Sequence, residues 1–290
     1  MQGKEEQPVQ HLFQPKLTWN INGSLISFDE PKVMGIINLT PDSFYSKSRH
    51  TTKSATKQAE KMLEDGAFML DIGAASSRPG AAQLSAKEEC DRLLPALDDI
   101  RKAFPNSIIS VDTWQAEVAK AAVDHGANCI NDISAGEMDE KMIETVASLR
   151  VPYIAMHMQG RPENMQDAPQ YEDIMHEVLL FFAAKTQSFK AHGIVDFAID
   201  PGFGFGKTLS HNYELLKHLS LFQQLECPIL VGVSRKSMIN KVLQTKAEEA
   251  LNGSTVLHTL ALLNGAHLLR VHDVKEAVEA MKLVQQYQKT

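Results

Sequence analysis

Short apolar runs alternate with longer helical stretches along most of this chain. From residue 32 onward there are eight apolar runs, each dense in Ile, Val, Leu, Met or Ala and short enough for a strand buried on both faces. They begin near Val33, Phe68, Ile108, Asn128, Pro152, Asp196, Pro228 and His267. The stretches between them, for example residues 85–103, 171–192 and 211–224, are predicted helices. Such alternation predicts an α/β protein with parallel strands, and eight strands are the number that closes a (β/α)8 TIM barrel.

A hairpin is predicted ahead of the barrel. Residues 17–28 contain two β-prone runs around Asn22 and Gly23, and both of these turn residues tolerate positive φ. We expect the hairpin to cover the amino-terminal mouth of the barrel that follows at residues 32–290. The polar residues 1–13 are predicted to be a flexible tail, which leaves residues 14–290 as one domain.

The composition is that of a soluble globular protein, with 43% hydrophobic and 22% charged residues. The net charge of −7 disfavours nucleic acid and anionic membranes as partners. The three cysteines are an odd number without Cys-x-x-Cys spacing, which argues against a disulfide scaffold and a zinc site. A polar amino terminus without an apolar core and the lack of a long apolar run then predict a cytoplasmic protein.

Polar residues end six of the eight apolar runs. A single Asp or Asn at such a place often does no more than cap the next helix. Several together predict an active site, because a barrel enzyme builds its site from many strand ends, whereas an open doubly wound sheet binds ligands at one switch point. The residues are Asn38, Asp112, Asn131, Asp200, Lys236, Arg270 and His272.

Positive charge is concentrated at the same end of the predicted barrel. In a chain that is acidic overall, converging cations indicate an anionic substrate, and Arg offers bidentate contacts to phosphate. The residues are Arg78, Lys207, Arg235, Lys236, Arg270 and His272. A phosphate-containing substrate is therefore predicted.

Three other kinds of site are disfavoured. Residues 206–208, Gly-Lys-Thr, match the end of a nucleotide-binding phosphate loop, but Pro201 stands where the first glycine belongs and no helix-forming run begins at Lys207. The glycines of this segment also miss the dinucleotide-binding spacing. A paired-zinc hydrolase needs clustered histidines, which are scattered here. A Mg²⁺ ion held in part by Asn38 remains open.

Eight motifs in a fixed order make the chain recognisable. They are Asn38–Phe44, Ser76–Ala81, Ser110–Thr113, Asn131–Gly136, Met156–Gly160, Asp200–Lys207, Gly232–Ser237 and Arg270–Asp273. Any one of them is a weak signal, but their joint order closely resembles the dihydropteroate synthase family, pterin-binding barrel enzymes of folate synthesis. The resemblance runs from about Lys32 to the carboxyl terminus. It implies a transferase that condenses 6-hydroxymethyl-7,8-dihydropterin pyrophosphate with p-aminobenzoate and is a target of sulfonamides.

The resemblance also implies a role for each site residue. The pterin would be held by Asp112, Asn131, Met156, Asp200, Phe203 and Lys236, the pyrophosphate by Ser77, Arg78, Arg270 and His272, and p-aminobenzoate by Pro79, Phe205 and Ser237. Asn38 would help to hold Mg²⁺ as cofactor, and Asp112, Asn38 and Lys236 would be catalytic. In the expected dissociative mechanism, Asp112 stabilises a pterin cation. The family is usually homodimeric, so a homodimer is expected.

Two loops depart from the family pattern. The first usually continues with Ser-Asp-Gly-Gly, but residues 45–50 read Tyr-Ser-Lys-Ser-Arg-His. In the second, Ala75 replaces a Glu and Ser77 replaces a Thr. Because loops that close over substrates govern turnover, we expect altered kinetics or inhibitor response.

These departures leave two rival functions open. One is a catalytically silent pterin-binding partner protein, which only the loop changes favour. The other is a pterin-dependent methyltransferase, because related barrels bind methyltetrahydrofolate in the same pocket. The retained Arg78, Arg270 and His272 argue against the methyltransferase, which needs no pyrophosphate site.

Overall fold

The computed structural model describes residues 17–39, 48–76, 83–162, 164–165 and 169–289. The predicted tail at residues 1–13 lies outside them. The strands are β1 (Thr18–Ile21), β2 (Ser24–Ser27), β3 (Lys32–Asn38), β4 (Met69–Gly73), β5 (Ile108–Asp112), β6 (Cys129–Asp132), β7 (Tyr153–Met156), β8 (Phe197–Asp200), β9 (Leu230–Val231) and β10 (Leu268–Val271). The helices are α1 (Ser48–Glu64), α2 (Ala86–Ala103), α3 (Ala116–Asp124), α4 (Met142–Leu149), α5 (Ile174–Ala191), α6 (Leu209–Lys217), α7 (Ser237–Leu243), α8 (Leu251–Leu263) and α9 (Val274–Gln288).

Eight parallel strands form a nearly closed barrel. Their order is β8-β7-β6-β5-β4-β3-β10-β9, with helices between them along the chain. The remaining gap lies between β9 and β8, where Ile199 makes a parallel bridge with Ile229. The amide of Ile199 also donates a hydrogen bond of 3.0 Å to the carbonyl of Pro228. The predicted TIM-barrel fold is therefore confirmed.

The amino-terminal end of the barrel is filled by side chains and covered by the hairpin of β1 and β2. Trp19 is fully buried, and its indole Nε1 donates to the carbonyl of Phe197 at 3.2 Å. Its ring meets that of Phe28 edge to face, with centroids 4.9 Å apart. The same apolar cluster contains Met34 and Met69 from inside the barrel. Because this end is packed shut, the described residues leave the inside of the barrel open at the carboxyl ends of the strands, where barrel enzymes place their sites.

Residues 211–224 are not the single helix that the sequence predicted. Helix α6 begins earlier, at Leu209, and residues 219–225 form a separate 3-10 helix. The earlier start follows from a capping box, in which the side chain of Thr208 accepts from the amide of His211 while the ring of His211 accepts from the amide of Thr208. A helix thus does begin just after Lys207.

None of the helices in the described ranges is long and apolar enough to span a membrane.

Candidate active site

Arg270 lies at the centre of a buried charge cluster at the carboxyl ends of the strands. Its Nε donates to Oδ2 of Asp71 at 2.6 Å, and its Nη2 donates to Oδ2 of Asp112, also at 2.6 Å. The side-chain amide of Asn131 donates to the same Asp71 oxygen at 3.1 Å. The strand register explains why Asp71, Asp112 and Asn131 lie close together. Asp112 on β5 pairs with Gly73 on β4 and with Asn131 on β6. Three residues predicted from separate strand ends are thus within one hydrogen-bonded group.

Asp71 is the member of this cluster that sequence reasoning missed. It lies in the middle of β4 instead of at its end, so a search for polar residues that terminate apolar runs passes over it. Its side chain is fully buried. The signal that could have found it was the carboxylate itself, since a charge inside a buried strand requires a partner. No motif of the sequence identified that partner as Arg270.

Burial and neighbouring charges set the protonation of the cluster. Burial raises the pKa of Asp112 to about 7; the positive charge of Arg270 works against this rise, and Asp71 adds to it. Burial disfavours the charged form of Arg270, but the carboxylates of Asp71 and Asp112 outweigh that penalty and raise its pKa. Arg270 therefore stays charged, while Asp112 titrates near neutral pH.

A second buried pair of opposite charge joins β8 to the loop after β9. Burial raises the pKa of Asp200, and Lys236 opposes the rise. Burial lowers the pKa of Lys236 to about 8, against the attraction of Asp200. The Lys236 ammonium donates to the carbonyl of Phe203 and lies 4.6 Å from the ring centroid of Phe205. The predicted residues Asp200 and Lys236 thus belong to one site.

The turn after Asp200 depends on Gly202. The amide of Gly202 donates to Oδ1 of Asp200 at 2.7 Å, which orients that carboxylate. Gly202 has a φ of +74°, and a Cβ added there would lie only 1.9 Å from the carbonyl oxygen of His157. Both the conformation and the close approach require glycine.

The apolar wall of the site contains Met156 and Phe205 but not the ring of Phe203. Met156 packs in a small cluster at this end of the barrel, and Phe205 is partly buried against it. Phe203 is fully buried in the main core, so the prediction that its ring lines a pterin face is wrong. Its carbonyl, which accepts from Lys236, is what it contributes to the site.

Two of the cations that were predicted to bind an anionic substrate have protein partners instead. Lys207 is buried, with Nζ 3.0 Å from Nδ1 of His157 and 3.0 Å from the carbonyl of Phe205. Arg235 binds both carboxylate oxygens of Asp273 at 2.8 Å. The expectation that these two cations serve an anionic ligand is wrong, because partners distant in sequence already satisfy them. Lys207 points into the protein, so the helix start after it does not make a phosphate loop.

His272 lies beside Arg270 at the end of β10. Its Nδ1 is 3.1 Å from the hydroxyl oxygen of Ser234. Desolvation and the positive charge of Arg270 lower the pKa of His272 to about 4. Its ring is therefore neutral near pH 7 and can donate a hydrogen bond to an anion, and its predicted role at the pyrophosphate stays a prediction.

Of the remaining predicted site residues, the structure describes Asn38 and Ser237 but not those of the second loop. Asn38 is the half-buried last residue of β3 and pairs in register with Gly73. Ser237 is exposed and begins α7. Ser77, Arg78 and Pro79 lie outside the described residues, as do residues 45–47 of the altered first loop. Within the described part of the chain, no group of three or more His, Cys, Asp or Glu side chains could hold a metal ion.

Comparison with known proteins identifies the family. The sequence-family model for pterin binding enzymes matches residues 34–272. The dihydropteroate synthase of Escherichia coli K12 is 43% identical over 266 residues, which cover 91% of this chain and 94% of that protein. The dihydropteroate synthase of Haemophilus influenzae is 40% identical, with 91% and 96% covered.

Solved structures of similar proteins point to the same family. Yersinia pestis dihydropteroate synthase in complex with a sulfonamide drug has a TM-score of 0.89 at 40% identity and covers 94% of this chain and 100% of its own. The Xanthomonas albilineans enzyme with 4-aminobenzoic acid has a TM-score of 0.88 at 38% identity, with 95% and 100% covered. The chain therefore belongs to the family of pterin binding enzymes. Its high-coverage relatives are dihydropteroate synthases, which confirms the resemblance seen in the motifs.

The turn that orients Asp200 can be tested with a pair of glycine substitutions. We expect Gly202→Ala to lower the free energy of unfolding several-fold more than Gly193→Ala. Gly193 also has positive φ, +81°, but nothing lies within 4 Å of its added Cβ. The control therefore carries only the conformational cost, on the order of 1–2 kcal/mol. Urea unfolding measures both, and equal losses would contradict the close contact with His157.

Proposed function

We propose that this chain is a dihydropteroate synthase. It joins 6-hydroxymethyl-7,8-dihydropterin pyrophosphate to p-aminobenzoate, forming 7,8-dihydropteroate and pyrophosphate. The observation that carries the proposal is the largely buried polar group of Asp112, Asn131, Asp200, Lys236 and Arg270 at the accessible end of a barrel of this family. The name and bound ligands of the relatives support the choice of substrates.

Recognition of the pterin follows from the hydrogen-bonding inventory of the pocket. The edge of a pterin presents both donors and acceptors. Asp200 accepts hydrogen bonds, Lys236 donates them, and the amide of Asn131 can do both. Met156 offers an apolar contact for the flat ring. Because an unmatched partner would leave a buried polar group unpaired, this set discriminates strongly against rings with a different edge.

The charge balance of the pocket favours a dissociative reaction. Arg270 contacts only one oxygen of Asp112, so the ionised carboxylate of Asp112 leaves part of its negative charge available to the pocket. When the bond from the pterin methylene carbon to the pyrophosphate oxygen breaks, positive charge spreads over the pterin and its methylene. A preorganised negative charge stabilises that cation. The neutral amine of p-aminobenzoate then attacks the methylene without a strong general base.

The leaving pyrophosphate would be received on the side of Arg270 and His272, together with Arg78 and Ser77 of the second loop. Asn38 offers one amide oxygen for Mg²⁺, a cation that commonly takes one or two protein oxygens and completes its shell with water and phosphate oxygens. When bound, Mg²⁺ would offset the negative charge of pyrophosphate and make it a better leaving group.

The ring of p-aminobenzoate would lie against Phe205 and Pro79, with its carboxylate near Ser237. Phe205 is half-buried and borders both the Met156 cluster and the ammonium of Lys236. Ser237 is exposed as the first residue of α7, and the first amides of a helix have no partners farther along that helix. Sulfonamide sensitivity follows from this placement, since a sulfonamide resembles p-aminobenzoate.

A reconstituted assay tests the function. Purified protein, the pterin pyrophosphate, p-aminobenzoate and Mg²⁺ should release pyrophosphate and form dihydropteroate in equal amounts. Omission of p-aminobenzoate should abolish product formation. Pterin binding without pyrophosphate release would instead identify a silent partner protein, and methyl transfer from methyltetrahydrofolate would identify a methyltransferase.

The pH dependence of kcat/KM should be bell-shaped. The mechanism needs Asp112 ionised, and its pKa of about 7 makes kcat/KM fall as the pH drops below that value. It also needs Lys236 protonated, and its pKa of about 8 makes kcat/KM fall as the pH rises further. Initial rates from about pH 5.5 to about pH 9.5 measure both limbs. Circular dichroism controls for unfolding, and a kcat/KM that stays level down to about pH 5.5, as for a carboxyl with the ordinary pKa of about 4, would contradict the assignment.

A homodimer would use the outer face of α8 and α9. Both helices present large apolar side chains to solvent, namely Val256, Leu260, Leu263, Leu283 and Tyr287. Three of them, Leu263, Leu283 and Tyr287, line a groove of about 420 Å³ between the two helices. A second copy of this chain fits such a face, because homodimer interfaces are enriched in apolar area.

Introducing a charge on this face tests the dimer. Leu283→Glu places a carboxylate at a position whose side chain is 72% exposed, and it should convert a dimer into monomers in sedimentation velocity. Leu180→Glu on α5 is the matched control, since Leu180 is 56% exposed on a different helix. A parent protein that is already monomeric would rule out the dimer. A dimer that persists in the Leu283→Glu variant would place the interface elsewhere.

A further inference from the structure

Asp71 uses one oxygen to hold two residues of the pocket. Its Oδ2 accepts from Nε of Arg270 at 2.6 Å and from the amide of Asn131 at 3.1 Å. Its other oxygen, Oδ1, is buried and has no hydrogen-bond partner among the described residues. The two residues that Asp71 holds come from β10 and β6, which are not neighbours in the sheet.

Asp71 lies deeper in the barrel than Asp112. Along β4 it is paired with Ser110, whereas Asp112 is paired with Gly73, two residues closer to the carboxyl end. Its side chain has no exposed surface, while the side chain of Asp112 retains 21%. Asp71 therefore acts on the reaction without touching the substrate, through the residues that it holds and through its charge, which also acts on Asp112.

The division of Arg270 between two carboxylates has a chemical consequence. A guanidinium that faces a single carboxylate prefers to pair with both of its oxygens. Because Asp71 occupies Nε, Arg270 reaches Asp112 through Nη2 and binds only Oδ2 of that carboxylate. The rest of the Asp112 carboxylate stays available to the pocket, where positive charge develops in the proposed reaction.

We propose that Asp71 is a positioning residue for pterin transfer, which restrains Arg270 so that Asp112 keeps its negative charge directed toward the pterin cation. This inference rests on the proposed synthase function. Without the charge of Asp71, Arg270 pairs fully with Asp112 and offsets the charge that the transition state requires. The loss falls on the chemical step, because Asn131, Asp200 and Lys236 still hold the pterin.

A double-mutant cycle separates this role from simple packing. Asp71→Asn keeps the shape but removes the charge, and it should lower kcat at least tenfold with less than a threefold change in the KM for the pterin pyrophosphate. Arg270→Lys cannot bridge two carboxylates. In an Arg270→Lys background, Asp71→Asn should therefore change kcat by less than about twofold.

Two further variants make the test specific. Ser110→Ala removes a buried, unpartnered hydroxyl from the strand position beside Asp71 and should leave kcat unchanged. Asp71→Glu keeps the carboxylate and should recover part of the kcat lost in Asp71→Asn. Thermal unfolding of each variant shows whether the fold is intact.

Several results would overturn the inference. The first is a kcat of the Asp71→Asn variant that lies within threefold of the parent value. The second is an equally large loss of kcat when Asp71→Asn is introduced into the Arg270→Lys variant. The third is a loss of kcat in Ser110→Ala as large as that in Asp71→Asn. An Asp71→Asn variant that does not fold, with no recovery in Asp71→Glu, would assign Asp71 to stability alone. Each of these leaves the synthase function standing if the parent protein makes dihydropteroate. An inactive parent protein would remove both proposals.

Discussion

The guanidinium of Arg270 is shared between two carboxylates, and the pocket around it depends on that division. Charges at this depth are costly unless each is paired, and removal of one partner leaves the other unpaired in a medium of low polarity. Asp71 and Asp112 supply the pairing from neighbouring strands, and Asn131 is joined to the same group through Asp71. The strands that bring these residues together are fixed by the parallel register of the barrel.

The barrel makes this arrangement accessible from one side only. The hairpin and Trp19 close the amino-terminal end over a packed apolar interior, so the polar cluster has solvent and ligand access only at the carboxyl ends. There the charged side chains lie close together, and Asp112 and Arg270 shift each other's pKa values. In the proposed reaction, the negative charge of Asp112 near the ring stabilises the pterin cation as pyrophosphate leaves.

The sequence was sufficient for the eight strands and for the polar residues at their ends, because the alternation of short apolar runs with helical stretches is a local signal. It was insufficient wherever a side chain's partner is distant. Lys207 and Arg235 looked like free cations until His157 and Asp273 were found beside them. Phe203 and Phe205 are two residues apart in one motif, yet one ring is in the core and the other borders the site. Asp71 escaped notice because it lies in the middle of a strand and its partner Arg270 is 199 residues away in the chain.

Negative charge at Asp112 is expected to stabilise the transition state more than it stabilises the bound pterin, and the proposed mechanism depends on this difference. The most direct measurement compares Asp112→Asn with the parent protein in two assays, the single-turnover rate of dihydropteroate formation and the Kd of an unreactive 6-hydroxymethylpterin. We expect the rate to fall by two orders of magnitude or more, about 2.7 kcal/mol of activation free energy, while Kd changes less than tenfold. Equal losses in rate and binding would contradict the mechanism.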